Sequence, residues 1–70
     1  MNDKINSNEL KAELARKGLT QTDLARRIGL SWTGFWHKVT GKNSFTVDEV
    51  RKIRDILNLD DEAIKKIFLI

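Results

Sequence analysis

The chain contains no cysteine and no proline. Without cysteine neither a disulfide nor a thiolate metal site can form, and a reducing cytoplasm is the expected setting. There is a single histidine, His37. A metal would need partner ligands that a lone imidazole lacks, so no metal or other cofactor is expected. No apolar run reaches membrane-spanning length and no secretory signal opens the chain, so no membrane association is expected. Ser31, His37 and an aspartate do not make a nucleophilic site. Ser31 is accounted for as a helix cap, and no glycine-rich oxyanion loop is present. An enzyme is therefore not expected. Strand alternation, internal repeats and low-complexity tracts are missing too.

What remains is one domain of 70 residues with a net charge of +3. A chain this short buries a modest core and is marginal unless its helices are well capped or it oligomerises. Residues 1–42 carry eight Lys and Arg against four Asp and Glu, whereas residues 43–70 carry five against six. The positive excess lies in the first part, as a phosphate-facing surface requires, although plain solubilising charge gives the same count.

Five helix starts share one pattern. An apolar residue precedes a cap and another follows at the fourth helical position, a hydrophobic staple. The pairs are Ile5/Leu10, Leu19/Leu24, Leu30/Phe35, Phe45/Val50 and Leu59/Ile64. The caps between them are Asn6, Thr20, Ser31, Thr46 and Asp60. Glu9, Asp23 and Glu49 follow their caps by three residues, as a capping box requires. Residues 1–5 read as a loose arm. The first helix runs from its Asn6 cap to about Lys17, with Leu10, Leu14 and Ala15 inward and Gly18 as its stop. The fourth spans Val47 to Asn58, with Val50, Ile53, Ile56 and Leu57 inward. The fifth starts at Asp61, with Ile64, Ile67 and Phe68 inward. The reading is an all-α five-helix bundle.

The stretch Leu19 to Gly41, LTQTDLARRIGLSWTGFWHKVTG, organises the rest. Its first helix spans Gln21 to Ile28, with Leu24, Ala25 and Ile28 on one face. Gly29 stops it, Leu30 plugs the turn and Ser31 caps a second helix that turns Phe35 and Val39 inward. Two short helices around a tight turn, at about residues 20–40, form a helix-turn-helix, whose second helix enters a DNA major groove.

Gln21, Leu24, Ala25, Gly29, Leu30 and Phe35 resemble the Gln, aliphatic, Ala, Gly and aliphatics of Cro-like and phage-repressor-like regulators. Thr40-Gly41-Lys42 resembles the Asn-Gly-Lys that often follows the second helix there. The resemblance covers most of the chain. It implies a lambda-repressor-like DNA-binding domain and a phage or prophage transcriptional regulator bound to a duplex operator. The family usually has an aliphatic where Lys38 stands. Here Val39 is the apolar residue, which predicts a rotated or tightened helix end.

By the same resemblance, Trp32, Thr33 and His37 approach base edges, with Trp36 alongside, and Gln21 bonds a phosphate. Thr33 can bond a base edge or touch a thymine methyl. Gly34 either lets the helix approach DNA closely or is simply a weak helix residue. Arg26, Arg27, Lys38, Lys42 and Asn43 are the candidate phosphate contacts, with plain solvation as the alternative. Arg16 and Lys17 are weaker candidates. Ser31, a cap first, can also meet phosphate at its helix end.

Two Trp in the reading helix are unusual, since bases are normally read by bidentate polar side chains. Trp32 reads either as an anchor packed on the bundle or as part of an exposed aromatic face. A face of Trp32, Phe35 and Trp36 would fit a partner protein, making the chain an anti-repressor or modulator of a partner repressor. The C-terminal Phe68, Leu69 and Ile70 are more apolar than one helix stripe needs, and a homodimer through them is expected. The alternative is that this tail folds back on its own bundle. With no second domain, no small-molecule ligand is expected.

Overall fold

A computed structural model describes residues 4–70. They form five α-helices: α1 Ser7–Arg16, α2 Gln21–Arg27, α3 Trp32–Val39, α4 Val47–Leu57 and α5 Asp61–Phe68. All five begin at the caps read from the sequence. The side-chain oxygens of Asn6, Thr20, Ser31, Thr46 and Asp60 accept the N–H groups of Glu9, Asp23, Gly34, Glu49 and Ala63. Thr20/Asp23 and Thr46/Glu49 are complete capping boxes. Each cap satisfies a donor that the first helical turn leaves without an intrahelical partner.

Three of the four connections are built on leucines. Gly18 and Gly29 adopt φ of 69° and 82°, and Asn58 adopts 51°. That left-handed step lets the next N–H turn back over the helix end. The N–H groups of Leu19, Leu30 and Leu59 accordingly donate to the carbonyls of Leu14, Ala25 and Arg54, five residues back. The same leucines precede the next caps and pack against the core. One leucine thus closes one helix and opens the next. Asn58, expected inside α4, is its left-handed cap.

α1 lies closest to α5, and α2 to α3. Leu10, Leu24, Phe35, Ile53 and Leu57 are completely buried at the centre. Three rings run outward from it. Phe35 meets Phe45 at 6.0 Å and Phe45 meets Phe68 at 5.6 Å, both edge to face. This is the favoured aromatic geometry, and it ties α3 through the loop to α5.

Four expectations need correction. Ala15 is exposed, because it sits a helical step away from the Leu10/Leu14 line. The loose arm falls on residues 1–3, outside the described residues, and on Ile5, which is buried. The Ile5 N–H donates to the Val39 carbonyl at 3.3 Å and the Asn6 N–H to the Ile67 carbonyl at 2.7 Å. Ile5 and Asn6 are therefore pinned over the ends of α3 and α5, satisfying carbonyls that helix ends leave open. α3 is not rotated at its end, and it tightens only in its last step, where the Gly41 N–H bonds the Lys38 carbonyl three residues back at 3.4 Å. The Thr40 N–H bonds the Trp36 carbonyl four residues back at 3.0 Å, and Val39 is buried at the ordinary spacing from Phe35. Val50 is only half-buried, lining a shallow apolar cleft with Ile5, Phe45, Phe68 and Ile70.

Candidate nucleic-acid interface

Burying Phe35 and Val39 leaves the opposite side of α3 in solvent. Trp32, Thr33 and Trp36 are exposed and His37 is half-buried. Trp32 is 46% exposed and Trp36 42%, so Trp32 is both partly buried against the bundle and part of an exposed aromatic face. The two indoles stack, with ring centroids 5.7 Å apart and planes 23° apart. Behind them Trp32 rests on Phe35 at 5.8 Å. Phe35 itself is completely buried, so it backs the aromatic surface and cannot touch a partner, contrary to its place in the expected protein-binding face. Gly34 sits in the first turn, where an added Cβ would meet the Ser31 Oγ at 3.3 Å. The cap and the glycine therefore share one tight space.

The cations divide into two groups. Arg26 and Arg27, near the end of α2, are exposed, as are Lys42 and Asn43 in the loop after α3. Gly41 turns that loop with φ of 90°. The Asn43 N–H then donates to the His37 carbonyl at 3.1 Å, which holds the loop against the end of α3. Lys38 is different. Its ammonium is bonded to the Glu49 carboxylate of α4, and both side chains are largely buried. Burial pushes the Glu49 carboxyl up, but the Lys38 hydrogen bond, the Thr46 N–H and the Lys38 charge outweigh it, and its pKa lies below the usual 4.5. Lys38, a candidate phosphate contact, already has an anion.

Arg16 pairs with Glu13 on α1, and Lys17 is exposed. Asp23 is held below its usual range, first by the Thr20 N–H and hydroxyl, then by Arg26 and Arg27. Gln21 opens α2 and is half-buried, and its amide oxygen is buried without a partner. At the C-terminus Phe68 packs on the bundle, whereas Leu69 and Ile70 are 62% and 79% exposed.

Two site features escaped the sequence reading. The Lys38–Glu49 pair spans eleven positions across a loop, beyond the reach of helical spacing rules. The anchoring of Ile5 on Val39 is visible in sequence only as half of a staple.

Two helices joined at a tight turn, the second turned to solvent and flanked by exposed arginines and a lysine, define a helix-turn-helix DNA-binding domain. Residues 9–62 match the family model of the Cro/C1-type HTH DNA-binding domain, and the chain belongs to that family. It is a DNA-binding regulator domain, from a family of a non-enzymatic kind. No curated protein and no solved structure matches it. Among the described residues no helix is long and apolar enough to cross a membrane.

Proposed function

We propose that the protein is a sequence-specific transcriptional regulator of phage or prophage Cro type. It binds an operator with α3 in the major groove, and excludes or recruits polymerase at the promoter. The reading rests on the outward presentation of α3, with Arg26 and Arg27 exposed near the end of α2 and Lys42 exposed in the loop after α3. Thr33, Trp32, Trp36 and His37 face the bases, and Gln21, Arg26 or Arg27, Lys42 and Asn43 face phosphates. Ser31 brings the α3 N-terminus, with its positive end, toward the backbone.

The two Trp report directly on this face, since the chain has no others. Adding duplex from the protein's own upstream region should change their emission. The apparent affinity should fall with salt, because phosphate contacts release counterions. An emission unchanged by any duplex at low salt would defeat the reading.

A second reading is favoured by one observation, the exposure of both stacked indoles. In it the chain is a modulator that grips a partner repressor through Trp32 and Trp36. Capture would then be lost in Trp36→Ala and would depend little on salt, because the buried contact is apolar.

A further inference from the structure

The outward face of α3 is short of the groups that read bases by hydrogen bonding. Arginine and lysine read guanine, asparagine and glutamine read adenine, and carboxylates read cytosine. None of these side chains occurs between Ser31 and His37. The first cation beyond them, Lys38, is drawn back onto Glu49. What the face does present is the stacked pair Trp32 and Trp36. The major groove has one apolar feature to match it, the C5 methyl of thymine.

We infer that α3 selects its DNA by apolar contact between the Trp32–Trp36 pair and thymine methyl groups on neighbouring base pairs. This rests on α3 being the helix that enters the groove. The ring centroids are 5.7 Å apart, a span between one and two base steps of about 3.4 Å. The pair therefore fits thymines on adjacent or next-adjacent steps. Trp32 is braced by the buried Phe35 at 5.8 Å, so the surface is held in place before binding. Such pre-ordering lowers the entropy cost of the contact. Both indoles are wet in the free chain, so moving them against a methyl removes apolar surface from water on each side. The charges decide for DNA over an apolar protein surface. Arg26 and Arg27 near the end of α2 and Lys42 in the loop after α3, on the elements that precede and follow α3, are all exposed and match a phosphate backbone.

The test uses the whole chain and a library of random duplexes at low salt. Bound sequences should be enriched in thymines one or two steps apart. Each selected thymine is then replaced by deoxyuridine, which removes only the methyl and leaves every hydrogen-bonding group. At contacted positions the wild-type chain should bind about fourfold more weakly per methyl removed, the usual worth of one buried carbon. Trp36→Ala, at an exposed position, should lose the uracil penalty at one of the selected thymines and keep it at the one that Trp32 contacts. Equal binding of both duplexes by the wild-type chain would overturn the inference while leaving DNA binding intact. A uracil penalty undiminished in both Trp32→Ala and Trp36→Ala would take the contact away from the indoles and overturn it too. If no duplex is selected, the placement of α3 in DNA fails, and the inference fails with it.

Discussion

The Lys38 ammonium of α3 is bonded to the Glu49 carboxylate of α4, in a half-buried position where each is the other's counter-charge. The same Glu49 oxygen accepts the Thr46 N–H at 2.9 Å. One carboxylate therefore caps α4 and fixes the far end of α3.

That pair sets a pH dependence. The folded-state pKa of Glu49 is depressed below 4.5. The stability it contributes is therefore fully present above that value and is lost as pH falls through the lowered one. Glu49→Gln should cost about 1.5 kcal/mol at pH 7, as expected for a hydrogen bond to a charged group. The gap from wild type should close toward pH 3. Urea denaturation at both pH values measures this, and a gap of equal size at each would count against the pair.

The two lysines around the end of α3 should behave differently on DNA. Lys42 is exposed, so Lys42→Ala should weaken binding to all duplexes alike and flatten the log–log salt slope by about 1. The wild-type slope should be roughly −2 to −4 per subunit. Lys38→Ala should leave that slope nearly unchanged and lower stability instead, because it strands Glu49. Affinities across a salt series, with thermal melts beside them, separate the two. A larger slope change for Lys38 than for Lys42 would contradict the assignment.

Thr46→Ala should cost about 1 kcal/mol, the usual loss on removing an N-cap. Its hydroxyl accepts the Glu49 N–H at 3.1 Å, inside the staple of Phe45 and Val50. An unchanged denaturation midpoint would show the capping box to be energetically silent.

Self-association should depend on the last two residues. Leu69 and Ile70 stand in solvent although both are large and apolar. The domain is 29 Å in its longest dimension. Two copies paired through these tails could set their reading helices about 34 Å apart, one turn of DNA. Sedimentation at tens of micromolar should show a dimer that disappears on deleting residues 69–70. A monomer in both cases would remove the tails from any interface.

The helix starts were legible because capping is local. A Thr, an acidic residue three later and an apolar pair around them say where α4 begins without knowledge of anything distant. The inward residues of α2 and α3 were legible for a similar reason, since helical spacing alone puts Phe35 and Val39 on one side. Whether Trp32 was anchor or surface was not. Its place in the first turn fitted both, and the packing of Phe35 beneath it leaves the indole only partly outside. Lys38 looked like one more basic residue beside DNA until the loop after α3 brought Glu49 to it.

The leucines at three of the four helix junctions have a consequence for how the domain opens. Leu30 belongs at once to the end of α2, through its N–H on Ala25, and to the start of α3, ahead of Ser31. Withdrawing it frays both ends together. Leu19 and Leu59 couple α1 to α2 and α4 to α5 in the same way. Helices of seven to eleven residues are too short to hold alone in water. Here none is asked to, because each shares an end with its neighbour. Amide exchange should accordingly find α1, α2 and α3 opening as one cooperative block with a single opening free energy. The reading helix would then be presented to DNA either complete with its support or not at all.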